Sequence, residues 1–318
     1  MSTPVVSVLL TSYNRERYIA ASIESVLAQT LGDFELLITD NCSTDGTLDV
    51  VRRYERLDRR IRVVVNERNL GQFGNRNRAA DLAVAPLLKY HDSDDLMYPY
   101  CLETMVPPLH AYPEAAFGLS SGVYWFGGPC PMLLTPRMAF QREFLGAGMF
   151  TAGTAGAIFR TEAFRALGRF TDLGAPSDIL FWLRACARVS VVLLPADVFW
   201  YRVHPDQELQ SAGVARQYAE TVRDFWAALS GDACPLLDDE REQARRNLMA
   251  MHLKHLWRDL ADRQFALARI RLAAGPSARE WIKYVGRPHR DASAGTPRAL
   301  NGEYVLPRGL PLSGDARA

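Results

Sequence analysis

Short apolar runs of strand length alternate with segments of helical periodicity through the N-terminal third of the chain, and this alternation limits the fold more than any other feature. Runs rich in Val, Ile and Leu predict strands over residues 5–11, 34–39, 61–65 and 87–91. Apolar spacing and flanking turn residues predict helices over residues 15–29, 47–57 and 71–84. Repeated strand–helix units imply a mostly parallel sheet with helices on both faces.

The polar segments that follow these strands are the first places to look for a functional site. In open α/β sheets, ligands bind beyond the carboxyl ends of the strands. Three predicted strands end in polar residues, over 11–14, 40–43 and 92–95. We therefore expect the site to be built from these segments.

The remainder of the chain has a different character. Residues 112–136 are rich in Gly, Pro and aromatic side chains, which favours short strands and loops. A helix is predicted over 177–187 with Ser177 as its N-cap, followed by strands over 189–194 and 198–203.

The C-terminal part reads as helical, with helices predicted over 214–229 and 238–274 and a stop at residues 275–276. One apolar stripe on the second helix is formed by Met249, Leu253, Leu256, Trp257 and Leu260. The stretch from residue 290 onward is rich in Gly, Pro, Ala and Arg and is expected to be mobile.

The composition argues against several classes of protein. The formal net charge of +1 argues against a nucleic-acid partner. The five cysteines are odd in number and form no CxxC pair, which argues against a disulfide framework or a zinc ribbon. The first apolar run has no basic leader, and no apolar stretch is long enough to span a membrane, so we expect a cytoplasmic protein.

Three clustered carboxylates, Asp92, Asp94 and Asp95, follow the fourth predicted strand. Like charges so close together repel, and a hard divalent cation such as Mg²⁺ or Mn²⁺ would relieve the repulsion. The alternative is a solvated acidic turn. The position at the end of an apolar strand in a βα array favours the cation site.

Two further strand ends carry candidate nucleotide contacts. Asp40 ends the second predicted strand and offers an acceptor to a base or ribose, although an Asx turn is the alternative. Tyr13 follows the first strand and offers a ring that can stack on a base, or that simply packs.

Asp178 and the histidines complete the set of candidates. Asp178 lies in the first turn of a predicted helix, where a carboxylate is also favoured by the helix dipole alone. His204 precedes a proline at a strand end and is a candidate metal ligand or a structural histidine. His252 and His255, three residues apart, lack a third ligand at a recognised spacing.

Taken together, these segments resemble the inverting family-two glycosyltransferases of the GT-A fold. The resemblance runs from residue 6 to about 205 and is densest in SVLLTSYNRERYIAASIESVLAQTLGDFELLITDNCSTDGT and RNLGQFGNRNRAADLAVAPLLKYHDSDD. It implies a Rossmann-like, mostly parallel sheet with flanking helices, to which the C-terminal pattern adds a helical extension. The matched part divides into a nucleotide-sugar-binding half over 1–110 and an acceptor-binding half over 111–210, and the apolar pattern and composition add a helical region over 211–289 and a tail over 290–318.

The resemblance also implies a role for each matching residue. Asp178 would be the general base. The nucleotide-sugar contacts would come from Thr11, Tyr13, Asp40, Arg76, Asp92 and Asp94. Asp92 and Asp94 would form the DxD motif, which binds ribose and metal in the family. Asp94 or Asp95 would ligate the Mn²⁺ or Mg²⁺ ion, and His204 would be an accessory ligand of the metal or the phosphate.

Ser177 stands where the family usually has Glu, and the QxxRW motif and membrane spans of processive synthases are missing. The expected activity is therefore transfer of one sugar per encounter from a nucleotide-sugar, UDP-linked by family habit, to a hydroxyl acceptor in bacterial surface glycan synthesis. The alternatives are a nucleotide-sugar-binding protein without catalysis, and a nucleotidyltransferase. The latter should carry a Gly-rich loop after the first strand, where this chain has TSYNRERY.

The C-terminal arginines leave three interpretations open. Their side chains suit an anionic lipid surface, which would place the enzyme peripherally at the inner membrane face. Ordinary solvated helix faces or a homodimer surface are the alternatives. The six arginines are Arg245, Arg246, Arg258, Arg263, Arg269 and Arg271.

Overall fold

An eight-stranded mixed sheet forms the centre of the computed structural model, which describes residues 3–120, 130–205, 207 and 213–285. Its strands are β1 Val6–Ser12, β2 Phe34–Asp40, β3 Ile61–Val65, β4 Leu87–Asp92, β6 Ala115–Ser120, β7 Met132–Leu134, β8 Ala157–Arg160 and β9 Ser190–Leu194. They lie in the order β3-β2-β1-β4-β8-β6-β9-β7. A separate antiparallel pair joins β5 Leu96–Met97 to β10 Phe199–Trp200.

The first four strands of the sheet run parallel, as the sequence predicts. β1 lies between β2 and β4, and its registers pair Ser12 with Asp40 and Thr11 with Asp92. The apolar residues of β1 are buried because helices cover both faces of the sheet. This register brings the polar ends of β1, β2 and β4 together at one edge.

The N-terminal helices are α1 Ile19–Leu27, α2 Thr47–Leu57 and α3 Gln72–Leu82. The predicted bounds of α2 and β3 are confirmed. α1 begins at Ile19 rather than at residue 15, because residues 13–18 form a loop that crosses the end of β1. Asn14 has a φ of 52° in this loop, and its side-chain oxygen accepts from the Thr44 N–H at 2.8 Å.

The second half of the sheet carries α4 Cys101–Ala111, α5 Pro136–Leu145, α6 Thr161–Ala166 and α7 Ser177–Cys186. The sequence pattern did not indicate α4, which contains Pro107 and Pro108. The prediction of Ser177 as the α7 N-cap is wrong. Pro176 occupies that position, and the Ser177 hydroxyl instead donates to the Gly174 carbonyl at 2.6 Å.

The C-terminal region is helical, as expected, but each long predicted helix is divided. Residues 214–230 form α8 Val214–Glu220 and α9 Val222–Ser230. The next predicted helix is interrupted at Arg263, whose φ of 57° cannot continue a right-handed helix. The remaining helices are α10 Asp238–Ala261, α11 Phe265–Ala274 and α12 Ala278–Tyr284. The predicted mobile tail lies outside the described residues.

The predicted apolar stripe on α10 divides between the interior and the surface. Met249 and Leu256 are buried, whereas Trp257 is 69% exposed. No helix in the described ranges is both long and apolar enough to cross a membrane.

An aromatic cluster below β8 fixes the position of α7. The Trp182 ring stacks on Phe159 with a centroid separation of 5.6 Å and meets Phe181 edge to face at 5.3 Å. The Trp182 indole N–H also donates to the Ala152 carbonyl at 2.9 Å. Because Trp182 is fully buried, these contacts hold α7 against β8.

Candidate functional site

A cleft of about 620 Å³ opens beyond the carboxyl ends of β1, β2 and β4. Its volume is within the usual range for small-ligand sites. The sequence-predicted residues on its wall are Thr11, Tyr13, Arg76, Asp92, Asp94, Asp95 and Asp178. Two other candidates, Asp40 and His204, are buried directly behind that wall.

Asp92 ends β4 and forms an ion pair with Arg76 of α3, with a distance of 2.6 Å between Nη2 and Oδ1. Burial alone would raise the pKa of Asp92, but the Arg76 guanidinium lowers it below its ordinary value. Arg76 also lies over the Phe73 ring at 5.0 Å, and its backbone carbonyl accepts from the buried Tyr90 hydroxyl. Asp92 is therefore an ionised, fixed carboxylate.

Asp94 is held from two sides. Its Oδ2 accepts from Arg15 Nε at 3.2 Å and lies 3.0 Å from His204 Nε2. The His204 ring packs against Tyr18 with centroids 4.4 Å apart. Arg202 donates through Nε to the Asp94 carbonyl at 2.7 Å. This bond links the segment after β10 to residues 92–95, which we call the acidic turn.

Asp95 is the most confined of the three carboxylates. Its Oδ1 accepts from the Arg202 backbone N–H at 2.9 Å, while Oδ2 is buried without a hydrogen-bond partner among the described residues. Burial and the nearby charge of Asp92 raise the pKa of Asp95 to about 8. Such a group suits a cation that would replace its proton.

Asp178 approaches the cleft from α7. It is in the first turn of the helix, and its Oδ1 accepts from the Ile179 N–H at 2.7 Å. Burial raises the pKa of Asp178 to about 6, an effect that Asp92 reinforces and the Arg76 guanidinium opposes. A carboxylate tuned in this way can accept a proton near neutral pH.

The nucleotide-side candidates differ in their access to the cleft. Thr11 and Tyr13 line it, and the Tyr13 ring is 43% exposed and open to stacking. Asp40 is 1% exposed, and its oxygens accept from the Ser43 N–H and from the Ser12 and Ser43 hydroxyls. Asp40 thus braces the loops that line the cleft.

Within the described residues, no group of three or more His, Cys, Asp or Glu side chains is arranged to hold a metal ion. Asp94 and Asp95 nevertheless offer carboxylate oxygens at the cleft wall. Mg²⁺ and Mn²⁺ commonly take one or two protein carboxylates and complete their shell with water and substrate phosphates. The residues present therefore fit a cation that is shared with a phosphorylated ligand.

Sequence reasoning did not single out Arg15, Arg202 or the turn over residues 153–156. Arg15 follows one segment that the motifs identify and Arg202 precedes another; Arg15 pairs with the Asp94 carboxylate, whereas Arg202 holds the turn through the Asp94 carbonyl and its own backbone N–H to Asp95. The turn lines the opposite wall of the cleft and is held by the buried Lys89, whose ammonium donates to the Ala155 carbonyl. A lysine inside an apolar strand was the only available signal.

Comparison with known proteins gives one family match. Residues 7–168, about half of the chain, match the family model described as Glycosyl transferase family 2. The match covers β1 to β8 and therefore includes the acidic turn after β4.

Individual relatives match shorter stretches of the chain. The "Putative teichuronic acid biosynthesis glycosyltransferase TuaG" of Bacillus subtilis is 45% identical over 92 residues, which are 29% of this chain and 36% of that protein. The UDP-Glc:alpha-D-GlcNAc-diphosphoundecaprenol beta-1,3-glucosyltransferase WfgD of Escherichia coli is 39% identical over 106 residues, 33% of this chain and 41% of that protein. The chain thus spans less than half of either relative.

The fold resembles that of a solved mannosyltransferase. PcManGT from Pyrobaculum calidifontis, in complex with GDP-Man and Mn²⁺, aligns with a TM-score of 0.60 at 20% identity. The alignment covers 89% of this chain and 79% of that one, so the likeness extends beyond residues 7–168 and concerns the fold.

Proposed function

Because the chain belongs to glycosyl transferase family 2 and has the GT-A fold, we propose that it transfers a single sugar from a nucleotide-diphosphate sugar to a hydroxyl acceptor, with inversion at the anomeric carbon. The observation that carries the proposal is the arrangement of one cleft. Asp178, with a pKa of about 6, shares the cleft with the Arg76–Asp92 ion pair and with Asp94 and Asp95. A base thus lies in the same cleft as a candidate diphosphate site.

The donor would lie along the carboxyl ends of β1, β2 and β4. Tyr13 would stack on the base, and Thr11 would contact it, while Asp40 would support the loop beneath. Arg76 and Asp92 would orient the ribose and diphosphate. We infer a UDP-linked donor, in keeping with the UDP-Glc in the name of WfgD.

The cation would be held by Asp94 and Asp95. Asp95 Oδ2, which is buried without a hydrogen-bond partner among the described residues, and the Asp94 carboxylate on the cleft wall supply the oxygen donors that Mn²⁺ or Mg²⁺ prefers. A bound cation supplies charge neutralisation for the departing diphosphate. His204 would act through Asp94, because its Nε2 already contacts that carboxylate.

The chemical step follows from the position of Asp178. Its carboxylate removes the proton of the acceptor hydroxyl, the oxygen forms a bond to the anomeric carbon, and the bond from that carbon to the diphosphate oxygen breaks. Attack from the side opposite the leaving group inverts the anomeric configuration. Arg76, paired with Asp92 on the same wall, keeps a positive charge near the developing negative charge of the leaving group.

The class of acceptor is inferred from the names of two relatives. TuaG and WfgD are named for teichuronic acid synthesis and for a diphosphoundecaprenol-linked acceptor, and we infer an acceptor of the surface-glycan class. The exposed apolar side chains Trp257, Phe265 and Ile282 lie among basic residues of α10 to α12, which suits peripheral contact with anionic lipid. Dimerisation through these helices is the competing use of this surface.

The deciding experiment measures nucleoside-diphosphate release from a panel of nucleotide-sugars, with and without Mn²⁺. The proposal predicts release with one donor class that depends on the cation and is lost in Asp94→Ala. Asp49→Ala is the matched control, because Asp49 is an exposed acid of α2 outside the cleft.

Absence of release, even with acceptor-rich membrane extract added, would count against transfer. Titration of the same donors would then identify a nucleotide-sugar-binding protein without catalysis, which is the second candidate. Ser177, in place of the usual Glu, is the observation that favours it.

A further inference from the structure

A second cavity, of about 320 Å³, lies among the C-terminal helices and is not used by the proposed reaction. Its walls come from α8, α9, α10 and α11. Its polar lining consists mainly of Tyr218, His252, His255, Arg258, Asp259 and Arg271. We call this cavity the histidine pocket.

The charged side chains of the histidine pocket leave it with a positive excess. Arg271 Nε is paired with Asp259 Oδ2 at 2.7 Å, and both side chains are largely buried. Arg258 is exposed at the rim and forms no ion pair with any described residue. With Asp259 neutralised by Arg271, the guanidinium of Arg258 is available to an anion that enters the pocket.

The two histidines add neutral hydrogen-bonding groups to the same wall. His252 is 2% exposed, and neither of its ring nitrogens has a hydrogen-bond partner in the described part of the chain. Burial lowers the pKa of His252 to about 4, and the charge of Arg271 adds to this effect. The pKa of His255 is lowered by the same two causes, so each ring is neutral at pH 7 and carries one N–H.

The histidine pocket adjoins the cleft on one side and opens to the surface on the other. Tyr218 lines both this cavity and the cleft proposed to bind the donor, so the two cavities adjoin at that residue. On the outer side, the rim includes Met251, which is 47% exposed. A ligand held in the pocket could therefore extend toward Asp178 on one side and toward solvent or lipid on the other.

We propose that the histidine pocket binds a phosphoryl group, with Arg258 providing the charge and the His252 and His255 rings providing N–H donors. Planar guanidinium donors match phosphate oxygens, and the buried His252 imidazole, which has no hydrogen-bond partner among the described residues, loses nothing by donating to them. The phosphoryl group belongs either to the acceptor or to a free phosphorylated metabolite. The acceptor version rests on the proposed function, whereas the binding site itself does not.

The test titrates the full chain with inorganic pyrophosphate and follows the histidine Cε1–H resonances by proton NMR. The chain has only six histidines, which makes their signals assignable. His204, beside Asp94, reports separately on the cleft proposed to bind the donor. The expected result is saturable movement of the His252 and His255 signals, whether or not the His204 signal moves. Arg258→Ala should weaken this response about tenfold or more.

Arg269→Ala is the matched control, because Arg269 is an exposed arginine of α11 outside the pocket lining. His255→Gln provides a second variant that keeps a hydrogen-bonding side chain and should also weaken the response. The proposal is overturned if the His252 and His255 signals stay fixed at millimolar pyrophosphate. It is equally overturned if Arg258→Ala and Arg269→Ala respond as the native chain does.

Two further probes distinguish the sources of the phosphoryl group. Farnesyl diphosphate and a soluble sugar phosphate are each titrated against pyrophosphate-saturated protein. Stronger displacement by farnesyl diphosphate supports a lipid-linked acceptor, and equal or stronger displacement by the sugar phosphate supports a free metabolite. Because pyrophosphate binding needs no turnover, failure of glycosyl transfer and failure of this site are separate results.

Discussion

Replacing Asp178 by Asn is expected to stop turnover and, above neutral pH, to stabilise the fold. The raised pKa of Asp178 means that the native state holds the proton more tightly than the unfolded chain does. The carboxylate therefore destabilises the native state once the pH exceeds the unfolded pKa, and the full penalty applies above the folded pKa of about 6. Asn has nearly the same shape, can accept from the Ile179 N–H, and never ionises.

The magnitude follows from the two pKa values. A rise from 3.8 to about 6 corresponds to about 3 kcal/mol at pH 8 and to only about 0.5 kcal/mol at pH 4. Urea unfolding should show Asp178→Asn to be more stable than the native chain at pH 8, with a much smaller difference at pH 4. Equal stability at both values, or a gain that grows toward low pH, would refute the assignment of a buried ionised carboxylate.

Activity provides the second half of the same test. The native rate should rise with pH through about 6, as Asp178 loses its proton and becomes able to accept another. Removal of a general base typically costs 10² to 10⁴ in rate, so Asp178→Asn should lose about that much while donor affinity stays close to native. Turnover within about tenfold of native in the Asn variant would remove Asp178 from the role of base.

Four other outcomes are expected. Chelation of divalent cations should abolish transfer, and added Mn²⁺ should restore it in the native chain but not in Asp94→Ala; unchanged rates after chelation would contradict the cation site. Arg76→Met should lower the free energy of unfolding by roughly 2–4 kcal/mol, because it leaves the Asp92 carboxylate unpaired, and an equal urea midpoint would show that the ion pair is unimportant. Gly71→Ala should lower the free energy of unfolding by about 1–3 kcal/mol, because Gly71 has a φ of 76° and a methyl group would meet Asp172 Oδ2 at 3.0 Å. Calorimetry measures this loss of stability. Trp257→Lys should reduce flotation with anionic liposomes, and native protein that stays unbound would end the membrane proposal.

The sequence predicted the N-terminal sheet well because the signals there are local. The four apolar runs, their order and the parallel pairing are confirmed, and with them the meeting of Thr11, Asp40 and Asp92 at one edge. That edge follows from register alone, since parallel strands end together. The position of Asp178 was accessible through family resemblance, and the structure brings it into the same cleft.

Features that depend on distant contacts were not predictable in the same way. The helix with Pro107 and Pro108 forms despite its composition, because Leu102, Met105 and Leu109 are fully buried against the sheet. The break at Arg263 depends on a backbone conformation that the apolar spacing does not encode.

The charge balance of the acidic turn shows why its contacts matter for the proposed reaction. Asp92 is neutralised by Arg76, and Asp94 is shared between Arg15 and His204. Asp95 accepts a backbone N–H but forms no ion pair among the described residues, and burial together with the charge of Asp92 raises its pKa. Because Asp92 and Asp94 already have cationic or hydrogen-bonding partners, a divalent cation would interact most favourably with the Asp95 carboxylate. We therefore expect Asp95→Asn to impair cation-dependent transfer at least as strongly as Asp94→Asn, and a milder defect at position 95 would assign the ion to Asp94 instead.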